Sequence, residues 1–323
     1  MGNTVDWEIM RKAILGLDLG GTNIKSVLFD PALNKIITRK QIPTQAGSGV
    51  SRVVDNIVSS IKDDLDAAKG SRHKITALGI GSAGLVENGV VRNSPNLPGW
   101  QGSVPLLKLI RDQMPGCGLP ILIENDVNCL VAAEYAIGAA KGHSEVVGLA
   151  IGTGVGGGIM INGRLVTGAH GGAGELGHMT IKMDGPLCKC GNHGCLEAMI
   201  GTDAILARYH RIDKTTKTKS LTVAQIALMA RKNQPAAVKT LAETGKILGV
   251  ALASIANIFN PQVIVLGGGV IQAGNLLIDP ARQEMNKRAM PYNAKGLKIR
   301  TAKLGPVAGA VGAAILAYRY FAK

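Results

Sequence analysis

The sequence predicts an α/β protein made of two similar lobes. Strands and helices alternate along the 323 residues, which suffice for two ordinary domains. A strand, a glycine turn and a strand occur in AILGLDLGGTNIKSVLFD (13–30) and again in EVVGLAIGTGVGGGIMINGRLV (145–166). We expect an N-terminal lobe over 1–127, completed by the C-terminal helix 307–323, and a C-terminal lobe over 128–306, with a cleft between them.

The first half of the chain reads as three β segments, a helix, a strand and a helix. Residues 13–18 are a short apolar strand that ends in an acid, and the strand 24–30 follows a GGTN turn, so the chain starts as a β-meander. Apolar residues at helical spacing predict a helix over 50–69. Two buried strands and a helix follow at 75–86, 119–126 and 127–140.

The second half continues mainly as helices. They are expected at 202–210, 222–232 and 235–258, and VIVLGGGV (263–270) is a strand that ends in glycines. Residues 247–279 carry no charge before Asp279. Because this stretch also holds several amides, a proline and three consecutive glycines, a helix, a turn and a buried strand explain it better than a membrane span.

Composition favours a soluble cytoplasmic protein. The formal net charge of +14 would suit nucleic acid, an acidic membrane or a polyanion, but the basic residues are scattered and the densest group, KTTKTK (214–219), reads as a solvated loop. Aromatic residues make up only 3 %, too few for a stacking platform, so we expect no nucleic-acid partner. The polar start MGNTVDWEIMRK lacks a signal peptide, and we expect neither a membrane partner nor disulfides.

The segment ELGHMTIKMDGPLCKCGNHGCLE (175–197) predicts a zinc-bound loop. Three cysteines and an upstream histidine are a favoured tetrahedral Zn²⁺ set, and glycines around the thiols permit tight turns. His193 is a rival fourth ligand, and buried thiols without metal are the plainer alternative. Cys117 and Cys129 lie far off in sequence and read as ordinary thiols. The predicted metal ligands are His178, Cys188, Cys190 and Cys195.

Two glycine turns and a third glycine run are candidates for phosphate binding. Backbone N–H groups at such glycines can approach phosphate oxygens, Thr22 adds a hydroxyl, and Asp18 could order Mg²⁺ through water. Lys25 lies near the phosphates or faces solvent. The glycines sit between two strands, so neither turn is a Walker A loop or a Rossmann fingerprint. The candidate nucleotide-binding residues are Asp18, Gly20, Gly21, Thr22, Lys25, Gly152, Thr153, Gly154, Gly156, Gly267, Gly268 and Gly269.

Six motifs occur together between residues 18 and 198: DLGGTNIK, NSPNLPGW, ENDVNC, GTGVGGG, GGAGELGH and CKCGNHGCLEA. With them the chain resembles the ROK family of repressors and sugar kinases, within the actin-like, hexokinase-like ATPases. The resemblance extends to GGG at 267–269 and AGAVGAA at 308–314. It implies duplicated actin-like (ribonuclease H-like) lobes, with ATP and a sugar meeting in the interdomain cleft, and a homo-oligomer, either a dimer or a tetramer.

The same resemblance implies roles for individual residues. Asp126 of ENDVNC matches the catalytic base, although an Asp at this place also suits the cap of the following helix. Asn125 beside it matches a sugar ligand, and His178 matches a sugar contact that also binds zinc. Zinc is expected to order the sugar loop rather than to polarise phosphate. The implied sugar-binding residues are Asn96, Asn125, Asp126, Gly154, Glu175, His178 and Glu197.

The implied function is an ATP-dependent hexose kinase that uses Mg²⁺, above all a glucokinase that makes glucose 6-phosphate. Kinases for N-acetylmannosamine, N-acetylglucosamine or fructose share the zinc and carboxylate set, and polyphosphate is an alternative donor that suits the positive charge. The family's repressors carry a winged helix-turn-helix before the first glycine turn. Only 17 residues precede Asp18 here, too few for such a module, so we do not expect a repressor. The intact Asp126 argues against a sugar sensor without catalysis.

Overall fold

The structure is a computed structural model that describes residues 10–214 and 221–322. The N-terminal residues 1–9 and most of the basic group KTTKTK lie outside the described residues. The described chain divides into two compact units, and the expected domain boundary at 127 remains a prediction. Unit 1 comprises residues 10–141, 167–172 and 304–322. Unit 2 comprises residues 142–166, 173–214 and 221–303.

The predicted α/β class is confirmed by the order of the elements. Unit 1 contains β1 (Arg11–Leu19), β2 (Asn23–Asp30), β3 (Lys35–Pro43), α1 (Gly49–Gly70), β4 (His73–Ser82), β5 (Leu85–Glu87), β6 (Val90–Arg92), β7 (Ser103–Val104), α2 (Leu106–Gln113), β8 (Ile121–Asn125) and α3 (Asp126–Ala136). Unit 2 contains β9 (Val146–Ile151), β10 (Val155–Ile161), β11 (Arg164–Leu165), α4 (Leu196–Ile200), α5 (Thr202–Ile212), α6 (Val223–Arg231), α7 (Pro235–Phe259), β12 (Val263–Gly267), α8 (Asn275–Arg288), α9 (Pro291–Ala294) and β13 (Lys298–Thr301). The chain returns to unit 1 as α10 (Ala308–Phe321).

Unit 1 is built on a five-stranded sheet in the order β3-β2-β1-β4-β8. The first three strands form the predicted antiparallel meander, whereas β4 and β8 are parallel to their neighbours. Successive side chains of β1 point to opposite faces. Leu15 and Leu17 therefore join a core with residues of α1 and α2, while Ile14 joins a second core with residues of α3 and α10. Helices thus cover both faces of this sheet.

Two features of unit 1 differ from the sequence expectation. The predicted buried strand at 119–126 is shorter and half-buried, with only Ile123 of β8 classed as buried. A small sheet in the order β5-β6-β7 was not predicted. Its strands have two or three residues each, too few for a hydrophobic period to emerge from the sequence.

Helix α10 packs directly on the backbone of β1 and β4. A Cβ atom added at Gly79 would overlap the carbonyl oxygen of Ala313, and one at Gly16 would overlap that of Ala310. Only glycine permits so close an approach of helix and strand. The same approach brings the first turn of α10 to the carboxyl group of Asp18, because a Cβ at Gly309 would lie 2.7 Å from Asp18 Cγ.

Unit 2 is built on a second five-stranded sheet in the order β11-β10-β9-β12-β13. The middle strand β9 pairs antiparallel with β10 and parallel with β12, as β1 in unit 1 pairs with β2 and β4. Strand β10 then pairs antiparallel with the edge strand β11, and β12 pairs parallel with the edge strand β13. The strand pairing is therefore the same in both sheets.

Helix α7 is the core helix of unit 2. Its length and apolar composition would allow it to cross a membrane, and it is the one such helix in the part of the chain that the structure describes. It is nevertheless 56 % buried over its most apolar window, and Leu241, Leu248 and Leu252 lie in the core of the unit. The predicted helix, turn and buried strand over 247–279 are confirmed by α7, a left-handed Asn260 and β12.

Gly79→Ala is expected to lower the free energy of unfolding by at least about 2 kcal/mol, because the new Cβ must displace the backbone of α10. The matched control is Gly70→Ala at the end of α1, where a Cβ meets nothing within 4 Å. That control should be neutral or stabilising by up to about 1 kcal/mol. Urea titration followed by circular dichroism measures both, and equal stabilities of the two variants would contradict the packing described.

Candidate functional site

The first glycine turn joins β1 to β2 and places Asp18 opposite Lys25. The two residues are direct partners across the hairpin, with Lys25 Nζ 3.7 Å from Asp18 Oδ2. From the sequence, Lys25 could lie near the phosphates or face solvent. In the structure it forms an ion pair with Asp18. Burial raises the pKa of Asp18, and the charge of Lys25 offsets only part of that rise. A carboxylate so placed would gain from a further cation.

The turn itself is held by Thr44, the residue that directly follows β3. The N–H of Gly20 donates to the carbonyl of Asn23 at 3.1 Å. Thr44 Oγ1 donates to the carbonyl of Gly20 at 2.6 Å, and the Thr44 N–H donates to that of Thr22 at 2.9 Å. Two carbonyl groups of the turn are thus bound by a residue from outside it.

An open cavity of about 750 Å³ in unit 1 is lined by this turn. Asn96, predicted as a sugar contact, lies on the same wall, and a Cβ at Gly21 would lie 2.5 Å from its carbonyl oxygen. Asn96 is therefore a neighbour of the first glycine turn. The lining residues are Gly21, Thr22, Pro43, Gln45, Ala46, Gly47, Asn96 and Pro98.

The junction of β8 and α3 holds Asn125 and Asp126. Asn125, rather than Asp126, caps α3, since its Oδ1 accepts from the N–H groups of Val127 at 2.8 Å and Asn128 at 3.1 Å. Its Nδ2 donates to the carbonyl of Gly84 at 3.1 Å, which takes one of the two amide hydrogens. Asp126 is the first residue of the helix, and its Oδ1 lies 2.9 Å from the N–H of Val127.

Glu124 stabilises this junction and was not among the site residues predicted from the sequence. Its Oε1 accepts from the N–H of Asn125 at 2.8 Å and from Asn128 Nδ2 at 3.0 Å. Burial raises the pKa of Glu124, and the bonds from Asn128 and Asn125 oppose that rise. The signal was present in ENDVNC, where an acid stands directly before the Asn-Asp pair.

The second glycine turn joins β9 to β10 in unit 2. The N–H of Gly152 donates to the carbonyl of Gly154 at 2.9 Å. Thr202 closes the turn, because its N–H and Oγ1 both donate to the carbonyl of Gly152, at 2.9 and 3.0 Å. Thr153 lies between these two glycines. Gly156, a predicted nucleotide contact, belongs to β10 rather than to the turn.

The third glycine run lies beside the second turn. Gly267 ends β12, and Gly268 adopts the left-handed region with φ of 90°. A Cβ at Gly268 would overlap the carbonyl oxygen of Ile151, the last residue of β9. Gly269, which follows, opens a short 3-10 helix. Two of the predicted phosphate segments therefore meet at one edge of the unit 2 sheet.

The predicted metal ligands meet in unit 2. One donor atom from each of the four residues lies within 4.8 Å of the others. The Sγ atoms of Cys190 and Cys195 are 3.7 Å apart, and Cys188 Sγ is 3.7 Å from His178 Nδ1. A tetrahedral ion with Zn–S bonds of about 2.3 Å separates its sulfurs by about 3.8 Å. Donor set and spacing both fit zinc.

The rival ligand His193 points elsewhere. Its Nδ1 lies 3.1 Å from the carbonyl oxygen of Gly185, and it is not a member of the four-residue cluster. Gly191 and Gly194 adopt φ of 91° and 68°, so the glycines after Cys190 and before Cys195 make the tight turns that the sequence predicts. The thiols of the loop therefore lie close to His178, whereas the His193 ring lies outside the cluster.

The two predicted sugar-binding carboxylates of this loop have different surroundings. Glu175 is 57 % exposed at its side chain, and its Oε2 lies 3.8 Å from His178 Nε2. Glu197 instead accepts the N–H of Val155 through Oε2 at 2.9 Å, and its Oε1 lies 3.7 Å from Cys188 Sγ. Glu197 is therefore bound to β10, directly after the second glycine turn.

Comparison with known proteins gives a consistent result. The chain matches the ROK family over residues 14–320. A glucokinase of Streptomyces coelicolor is 34 % identical over 322 residues, covering 94 % of this chain and 96 % of the relative. A xylose repressor of Bacillus spizizenii is 30 % identical over 308 residues, covering 95 % and 77 %. A ROK family glucokinase from Streptomyces griseus, solved with glucose and AMPPNP, is 31 % identical with a TM-score of 0.77, covering 95 % and 99 %.

The unaltered protein is expected to bind about one zinc ion per chain. Cys188→Ser should bind far less, because a hydroxyl replaces one thiolate of a four-donor set. Metal content after purification with Zn²⁺, measured by inductively coupled plasma mass spectrometry, checks this. Cys117→Ser, at an exposed thiol outside the cluster, is the matched control and should keep the metal. His193→Ala should keep it too, and loss of zinc in that variant would contradict the ligand assignment.

Glu124→Gln is expected to stabilise the protein increasingly as the pH rises. The unfolded carboxyl loses its proton near pH 4.5, whereas burial keeps the folded carboxyl protonated to higher pH. Between these values the native state binds more protons, so stability of the unaltered chain falls as pH rises through the window and stays lower above it. Glutamine keeps an acceptor oxygen without the charge.

The melting temperatures of both chains between about pH 4 and pH 8 test this linkage. Asp112→Asn, at an exposed carboxylate of the same unit, supplies the background pH dependence. A stability difference between Glu124→Gln and the unaltered chain that does not grow with pH would show that Glu124 carries no buried charge.

Proposed function

The chain belongs to the ROK family, and we propose that it is an ATP-dependent hexose kinase that phosphorylates the 6-hydroxyl of glucose. The observation that carries the proposal is the placement of Asp126 at the first position of α3. Asn125 takes over the helix cap and Glu124 holds the turn, so Asp126 is not needed as the cap. Unit 1 also contains the first glycine turn beside its open cavity.

Transfer of a phosphoryl group needs an in-line arrangement, a proton acceptor and neutralisation of charge. Asp126 accepts the proton of the hexose 6-hydroxyl while that oxygen attacks the γ-phosphorus of ATP and ADP leaves. Asn125 offers an amide hydrogen, and Glu175 and Glu197 offer carboxylate acceptors for other hydroxyls. A sugar that lacks one of these hydroxyls would leave a polar group of the site unpaired and would be a poor substrate.

The glycine turns are proposed to bind the phosphates of ATP. Backbone N–H groups at residues 20–22 and 152–154, together with the 267–269 run, face phosphate oxygens in this proposal. Asp18 would order Mg²⁺, because this hard cation prefers oxygen ligands and the Asp18 carboxyl lies at the start of the first glycine turn. Bound Mg²⁺ supplies neutralisation of the phosphate charge.

Zinc is proposed to have a structural role. His178, Cys188, Cys190 and Cys195 would hold it with four protein donors and no open position, which is typical of structural zinc. Bound zinc fixes the orientation of the His178 ring. His178 Nε2, on the side of Glu175, then contacts a sugar hydroxyl from a fixed position.

The two units are proposed to be duplicated lobes of one ancestral α/β unit. The identical pattern of parallel and antiparallel pairing in the two sheets supports this. Each sheet also carries a glycine turn after its middle strand. We likewise propose that the enzyme is a homo-oligomer.

Other sugars and a non-catalytic role are the alternatives. N-acetylmannosamine, N-acetylglucosamine and fructose would use the same residues, and polyphosphate would use the same glycine turns. Because a xylose repressor is also a relative, family membership alone does not establish catalysis. Asp126 and the two phosphate turns favour a kinase, since a repressor needs neither a base nor a phosphoryl donor.

Asp126→Asn is expected to lower kcat with glucose and ATP-Mg²⁺ by at least about 10²-fold, because the hydroxyl loses its proton acceptor. Steady-state ADP formation measures kcat, and isothermal titration with glucose should show an affinity within about threefold of the unaltered chain, since the amide keeps the local hydrogen bonds. Asp112→Asn, at an exposed ion pair, is the control and should keep full activity. An Asp126→Asn variant within tenfold of the unaltered kcat would overturn the assignment.

A further inference from the structure

A five-residue helix connects the cysteine cluster to the second glycine turn. Helix α4 begins directly after the cluster thiol Cys195. In its first turn Glu197 Oε2 accepts the N–H of Val155 at 2.9 Å. Just after its end Thr202 donates to the carbonyl of Gly152 through both N–H and Oγ1. The two ends of the glycine turn are therefore bound to the two ends of α4.

The part of the metal loop that precedes the cysteines packs on β10, the strand that begins at Val155. A Cβ at Gly177, next to the ligand His178, would overlap the carbonyl oxygen of Val155. A Cβ at Gly157 in β10 would overlap the carbonyl oxygen of Gly174. Such direct backbone contacts cannot be kept if the loop shifts, because packed interiors do not deform continuously. The ligand segments on both sides of the cluster thus touch the start of β10.

The cluster needs a cation to hold its shape. The donor atoms of the four predicted ligands lie within 4.8 Å of one another, and the three cysteines are free thiols, so a bound metal ion is what would join these segments. Without the ion the four ligand residues lose their common partner. Cys195 is the residue from which α4 starts, so a change there reaches Glu197 and Thr202 along one short helix.

We propose that zinc in this cluster sets the conformation of the second glycine turn, residues 152–155, with Glu197 as the positioning residue that transmits it. This inference rests on the proposed function where it assigns that turn to the nucleotide. Zinc then governs nucleotide binding as well as the sugar loop. By accepting the Val155 N–H, Glu197 orders the glycine turn that is proposed to bind ATP, in addition to its predicted contact with sugar.

Hydrogen exchange of the Val155 amide tests the coupling without any catalysis. Zinc-loaded full chain is compared with chain treated with a chelator and a reductant. Zinc removal and Glu197→Ala should each speed exchange at Val155 at least about fivefold, because each frees an N–H bound to a carboxylate. Glu197→Gln, which keeps an oxygen acceptor, should restore part of the protection. Amides of β4 in unit 1 should exchange as before.

The matched control is Asp203→Asn, an exposed carboxylate one turn beyond α4 that pairs with Lys189 at 3.7 Å and makes no bond to the glycine turn. It should keep zinc and normal exchange at Val155. Should the chelated chain unfold, the Cys188→Ser chain, which lacks one of the four ligands, replaces it in this comparison, and the zinc-loaded Glu197 variants test the bond to Val155. Unchanged exchange at Val155 in Glu197→Ala, or in folded chain shown to be free of zinc, would overturn the proposal.

Titration calorimetry with ADP connects the coupling to the proposed function. Zinc removal and Glu197→Ala should each raise the Kd for ADP at least about fivefold, and together they should raise it no further, since they act through one path. Full additivity of the two effects would contradict a shared path. If zinc-loaded unaltered chain bound no ADP, the proposed kinase function would fail, while exchange at Val155 would still decide whether zinc orders the turn.

Discussion

Direct contact between backbones at glycine positions holds the candidate site together in both units. In unit 1, Gly16 and Gly79 let α10 lie on β1 and β4, and this contact brings the start of α10 to Asp18 at the strand end. In unit 2, Gly177 and Gly268 let the metal loop and the third glycine run lie on the ends of β10 and β9. A side chain at any of these positions would force the segments apart. The abundance of glycine therefore serves close packing as much as ligand approach.

Two carboxyl groups that are costly to bury in their charged form lie at strand ends of unit 1. Burial raises the pKa of both Asp18 and Glu124, one at the end of β1 and the other at the end of β8. Groups whose ionisation is disfavoured in the folded state are common at functional sites, where a cation or substrate supplies the missing interaction. At the end of β8 the amide of Asn125 caps α3 through its Oδ1, so the residue before Asp126 orders the start of this helix.

Local patterns in the sequence predicted many of the secondary-structure elements and the cysteine cluster. Apolar spacing gave α1 and α7, the glycine turns gave the hairpins β1-β2 and β9-β10, and the cysteine spacing gave the cluster. Contacts between distant segments could not be predicted. Spacing alone did not choose His178 over His193, since that depends on where the loop directs each ring. The bond from Glu197 to Val155 crosses 42 residues and leaves no local pattern.

The most direct test of hexose kinase activity is ADP release by the zinc-loaded full chain with ATP-Mg²⁺ and a panel of sugars: glucose, mannose, fructose, N-acetylglucosamine and N-acetylmannosamine. We expect release that depends on the sugar, with the highest kcat/KM for glucose. Preference for an N-acetyl sugar would keep the roles of Asp126 and the glycine turns and replace the substrate. ADP release no faster with any of these sugars than without sugar would contradict the proposal that this protein transfers phosphoryl groups to a hexose.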